Sequence, residues 1–122
     1  MPVVDCHVHT AMMEVVSPGY AAHVEAHRRQ SFAAFVAEWA DPQRFLAYLD
    51  EQGVDYALVL ASNTPASPGV ISNDYVARFC AASPRLLPCA SLNPFVDREP
   101  ARQLDRLVRE HGFRALKLYP TY

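Results

Sequence analysis

Cysteine is scarce in this sequence. Cys6, Cys80 and Cys89 are the only thiols in 122 residues, odd in number and without a spacing pattern. That excludes a disulfide scaffold and suits reduced thiols, so a cytoplasmic location is expected. Charge of either sign is also in short supply. A net charge of −2 removes the electrostatic case for nucleic acid or an anionic membrane surface as partner. No apolar run approaches the roughly 20 residues that cross a bilayer. The N-terminus does not read as a signal peptide, because it has no basic segment and Asp5 and His7 interrupt its apolar run. Internal repeats and low-complexity stretches are absent as well.

What is present reads as one globular domain over residues 1–122. Hydrophobic content is 51% and charged content 20%, enough to build a core. The hydrophobic period then switches repeatedly along the chain. PVVDCHVH (2–9) is short and rich in β-formers. DPQRFLAYLDEQG (41–53) has helix signals at both ends: Asp41 as cap, Pro42 in the first turn, Gly53 at the stop. Its residues Phe45, Leu46 and Leu49 make one apolar stripe. VDYALVLAS (54–62) is the near-continuous apolar run of a strand covered on both faces.

The cycle repeats. SNDYVARFCAAS (72–83) is a helix capped by Ser72, with Tyr75, Val76, Phe79 and Cys80 on one face. RLLPCASLN (85–93) is a strand in which Pro88 gives up one ladder bond. DREPARQLDRLVREHG (97–112) is a helix with Leu104, Leu107, Val108 and His111 at i, i+3, i+4 and i+7, closed by Gly112, and FRALKLYP (113–120) is a fourth strand. Strands alternating with helices of this length imply a parallel sheet. The segment 11–40 departs from the rhythm. It holds a loop with Ser17, Pro18 and Gly19 and a helical stretch from about Tyr20 to Trp39, an insert of the size of a lid. An open four-stranded sheet and half of an eight-stranded (β/α) barrel fit this order equally well.

Chemistry is expected at VVDCHVHT (3–10). His7 and His9 stand two apart on a strand and so share a face, and their rings can converge on one ion. The site would lie at the C-terminal end of the strand, where parallel α/β folds bind ligands. Neutral imidazole suits zinc, iron or manganese. Asp5 lies on the same face one pleat deeper, where a carboxylate can orient a ligand. From spacing alone, ordinary strand-end histidines remain an equal alternative.

DCHVHT on a first strand, βα units after it, and the strand GFRALKLYP together resemble the N-terminal part of the amidohydrolase superfamily. The likeness is strongest to its amidohydrolase-related hydrolases and decarboxylases, and it spans essentially the whole chain. It implies the first four strands of a TIM-barrel metal-dependent hydrolase, with His7 and His9 as the first metal motif. It also implies a divalent ion, zinc or manganese, one or two in number. In binuclear members a lysine at the end of strand four is carbamylated and bridges two metals, and Lys117 stands there. The KLYP string is similar to dihydroorotases at that point. Contact with a substrate carboxylate, or pairing with an acid, are the other readings of Lys117. Tyr119 lies two residues on, on the same face, and is expected to contact substrate.

The family's later ligands are a histidine after strand five and another after strand six. They and the aspartate after strand eight have no counterpart up to Tyr122, so whether this chain alone is an enzyme stays open. A catalytic zinc normally has three protein ligands and a water.

Other candidates read more plainly. Asn63 and Asn93, in SNTPASPG (62–69) and NPF (93–95), would stand at the rim of the histidines, as substrate contacts or as turn residues. His23 and His27 sit at i and i+4 but do not form HExxH, and a solvated lid helix is expected there. His111 suits a helix C-terminus. Cys6, Cys80 and Cys89 are expected to be buried thiols. Phe35 and Trp39 belong to a pocket or to the packing of the insert.

The resemblance implies hydrolysis of an amide, ester or lactone, or nonoxidative decarboxylation of a small carboxylic acid, so the partner is a small molecule. The alternative is a non-catalytic half-barrel, or one that self-assembles into a homo-oligomer through its sheet edges.

Overall fold

A computed structural model describes residues 1–11, 13–64 and 69–119. Four strands form the main sheet: β1 (Val4–Val8), β3 (Tyr56–Leu60), β6 (Leu86–Ser91) and β7 (Ala115–Lys117). Their order across the sheet is β1-β3-β6-β7 and every ladder is parallel. The helices α3 (Pro42–Glu51), α4 (Asn73–Cys80) and α5 (Pro100–His111) connect them. This is the βα alternation expected from the sequence.

Local chemistry explains the boundaries. The Asp41 carboxylate accepts the Gln43 N–H at 2.9 Å and opens α3 with Pro42 in its first turn. Ser72 opens α4 in the same way, its hydroxyl accepting from the Tyr75 N–H at 3.1 Å. Gly112, at φ 68°, ends α5 in the left-handed conformation that glycine adopts without a Cβ penalty. Arg85 ties the start of β6 to the turn after α3. Its guanidinium donates to the carbonyls of Val54 and Asp55, both at 2.8 Å, and pairs with Asp50 at 2.7 Å.

The core lies between the sheet and these helices. Phe45 and Leu49 of α3, Val76 and Phe79 of α4 and Leu107 of α5 close over Ala57, Val59, Leu86 and Ala90. Val108 and His111 were expected on the packed face of α5, but Val108 is half exposed and His111 exposed. Leu107 alone reaches the fully buried layer.

The structure corrects three expectations. The insert is not one helical stretch but two helices, α1 (Pro18–Arg28) and α2 (Phe32–Trp39). Arg29 takes a left-handed φ of 54° and donates its N–H to Glu25, and Ser31 then caps a new helix. The segment around Asn63 is not simply loop. β4 (Ser62–Thr64) and β5 (Gly69–Ile71) pair antiparallel, and β2 (Val15–Val16) adds a third strand against β5. Residues 65–68 of the expected loop lie outside the described residues. Finally, Cys6 is exposed, whereas Cys80 and Cys89 are buried. Among the described residues β1 is an edge strand paired with β3 alone, and four of its five residues are exposed, so no described helix covers the Cys6 side chain.

The small sheet is held by close backbone approach. A Cβ built on Gly69 would collide with the Val15 carbonyl oxygen, and its φ of 153° is already strained for other residues. Gly69→Ala is therefore expected to destabilise the fold by about 2 kcal/mol, read as a lower urea midpoint with an unchanged slope.

Candidate functional site

β1 carries His7 within it and His9 immediately beyond its end, so both rings stand at the C-terminal rim of the sheet. Their centroids are 5.4 Å apart and the planes tilt by 59°. Lys117 is the last residue of β7, at the opposite edge. In a flat sheet three ladder steps would separate those edges by about 14 Å. Here the Lys117 Nζ lies 3.3 Å from His7 Nε2 and 3.0 Å from His9 Nε2. The sheet curls, its concave face carries the three side chains, and the lysine bridges the histidine pair.

An ammonium can only donate, so in this contact the two Nε2 atoms are the acceptors. The electrostatics agree. Burial, then the Lys117 cation, then His7 bring the His9 imidazole down to about 4, against a small opposing influence of the Leu60 carbonyl. Among the described residues His9 Nδ1 has no hydrogen-bond partner, and it is buried. Lys117 forms no ion pair with a described carboxylate; its other neighbour is the Tyr119 ring, with Nζ 4.7 Å from the centroid.

Asp5 sits below the pair. Its carboxylate accepts the main-chain N–H of His7 at 3.0 Å, so its contact fixes the strand rather than a ring. A cavity of about 300 Å³ opens beside the histidines, walled by Arg28, Phe35, Trp39 and Tyr48 from the insert and α3. Phe35 and Trp39 were open between pocket and packing, and both line this space. Arg28 was not foreseen. It ends α1 with its guanidinium 5.5 Å from the Phe35 centroid, and nothing in the sequence around it distinguishes it from the neighbouring Arg29.

Asn63 and Asn93 are brought together, but not into that cavity. Asp97 accepts from the Asn63 side-chain amide at 3.1 Å and from the Asn93 main chain at 2.6 Å. Asn93 in turn accepts the Phe95 N–H at 3.0 Å. The two asparagines brace the loops after β3 and β6 against each other. His23 and His27 are exposed on α1 with rings 4.0 Å apart, as a solvated helix face requires. Among the described residues no three His, Cys, Asp or Glu side chains cluster closely enough to hold a metal ion.

No protein-family model and no curated protein matches the chain. Among solved structures it is similar to an uncharacterized TIM-barrel protein from Bordetella bronchiseptica. The TM-score is 0.62 at 17% identity, over 97% of this chain and 43% of that one. The fold is a TIM half-barrel. The four parallel strands curl as such a barrel does, and the chain spans less than half the length of the barrel protein it matches. Among the described residues no helix is long and apolar enough to cross a membrane.

Since His9 stays neutral in the half-barrel while a free histidine titrates near 6.5, protons favour the unfolded chain between those values. Stability is expected to fall as pH drops from 6.5 to about 4 and to level off below. Urea midpoints measured across that range should show the slope, and His9→Gln should flatten it.

Proposed function

We propose that this half-barrel carries part of the metal centre of a hydrolase related to the amidohydrolases. One observation carries the reading: His7 and His9 aim two Nε2 atoms at a single point where a cation, the Lys117 ammonium, already sits. That point is within reach of both lone pairs, the arrangement that a divalent ion such as zinc or manganese requires. The resemblance of DCHVHT and KLYP to that superfamily supports the same reading. The donor set fits such an ion as a partial set. Two imidazoles are one ligand short of the usual three, and Lys117 converted to a carbamate would add an oxygen donor on the same face.

A bound divalent ion would lower the pKa of a water toward 7 and polarise a carbonyl. The chain's own residues do the rest. Low basicity keeps His9 available as a ligand at neutral pH. Asp5 anchors the main chain of His7 and so holds the strand that carries it. The cavity beside the pair admits a small molecule, with aromatic walls and the Arg28 cation at its margin. The reaction supported is hydrolysis of an amide, ester or lactone, with nonoxidative decarboxylation of a small carboxylic acid as the neighbouring chemistry of the same branch. Tyr119, packed on Lys117, would position that lysine for either role.

The test is zinc or manganese titration of metal-free protein by calorimetry at neutral pH. His9→Ala is expected to weaken binding by at least about tenfold, and His23→Ala to leave it unchanged. Equal affinity in wild type and His9→Ala would refute the metal reading.

A further inference from the structure

We propose that the cavity beside the histidines takes a single-ring aromatic carboxylate, with Arg28 holding the carboxylate and Phe35, Trp39 and Tyr48 receiving the ring. The inference names the substrate class of the site proposed above and rests on that reading only for the reaction that follows binding. Two parts of the chain wall the cavity. β1 and the residues after it bring His7, His9 and Thr10, while the insert and α3 bring Arg28 and the three aromatic rings. The histidine rim thus supplies the chemistry, and the insert supplies most of what a ligand would be selected by.

The polar groups of these walls have donors to spare. Among the described residues Asp5 is the one carboxylate on the lining, and its contact is to the main-chain N–H of His7. The Arg28 guanidinium has no ion pair and no hydrogen bond with a described residue. Thr10 is 7% exposed, and its hydroxyl has no hydrogen-bond partner among the described residues either. A ligand that brings acceptors answers this shortage, and the planar fork of a guanidinium matches a carboxylate with two parallel bonds. The Phe35 face, 5.5 Å from the guanidinium carbon, steadies that fork against the wall. A cationic ligand would meet Arg28 and, at the rim, the Lys117 ammonium, and like charges repel it. Arg44 does not compete as anchor: it lies over Trp39 but is paired with Glu38 at 3.1 Å and stands off the lining. The aromatic walls select a flat ring. Trp39 and Tyr48 meet edge to face with centroids 5.3 Å apart, and offset or edge-on contact is how a further ring packs against such a pair. A volume of about 300 Å³ lies at the lower end of small-molecule pockets, which suits one ring with a short side chain.

The test is a ligand-observed magnetic-resonance titration of the metal-free full chain with three probes of one shape: phenylacetate, phenylacetamide and phenylethylammonium. Phenylacetate is expected to bind at least about tenfold more tightly than the amide, and the ammonium to show no saturable binding. Arg28→Gln is expected to abolish the preference for the acid. Arg29→Gln, one residue on and off the lining, is expected to keep it. Both arginines are exposed, so the far-ultraviolet circular dichroism of each variant should stay that of the wild type. A second measurement does not depend on the variants: Overhauser contacts from the phenylacetate ring are expected to the Trp39 and Tyr48 rings. Equal affinity for acid and amide would overturn the proposal. So would an acid preference that survives Arg28→Gln, or ring contacts that avoid Trp39 and Tyr48. The zinc titration separates the two readings. Zinc binding without an acid preference overturns this proposal alone, whereas an acid preference without zinc binding supports it and overturns the metal centre.

Discussion

The contact between the Lys117 ammonium and the two imidazoles depends on curvature. Its partners stand on opposite edge strands, and only a sheet that bends through half a barrel lets them meet. The middle strands must permit that bend. β3 and β6 turn Ala57, Val59, Leu86 and Ala90 toward the helices, mostly small residues that let the helices approach the convex side closely. Arg85 holds the far end of the sheet, where its guanidinium gathers two carbonyls and Asp50. The rim that carries the histidines is thus free to vary while the opposite end stays pinned, the arrangement usual in α/β barrels.

Much of this was legible in the sequence because the relevant signals are local. Asp41 and Pro42, Ser72 and Gly112 each mark a helix end within a few residues, and the structure uses each of them there. His7 and His9 share a face by the two-residue period of a strand, a property of the backbone that needs no tertiary information. The direct contact of Lys117 with that pair was not readable from any local pattern, because more than a hundred residues separate them.

What was not legible was non-local or chemically ambiguous. The strand β2 is only two residues long, and it exists because β5, more than fifty residues later, offers it an edge and a glycine that allows close approach. No periodicity can announce such a strand. Asn63 and Asn93 beside prolines read as turn residues more readily than as substrate contacts, and nothing local to either foretells that both meet Asp97. Cys6 alternates as a buried residue should, yet its strand lies at an edge, and strand order is not written in alternation.

Trp39 has a consequence of its own. It is the sole tryptophan of the chain, and it packs edge-on against Tyr48 of α3 with the Arg44 guanidinium 5.3 Å from its ring centroid. Its emission therefore reports on the seam between insert and barrel, not on the sheet. An optical signal that changed before the backbone signal on warming would mean that the insert detaches as a separate cooperative unit, leaving the histidine rim uncovered while the strands still hold.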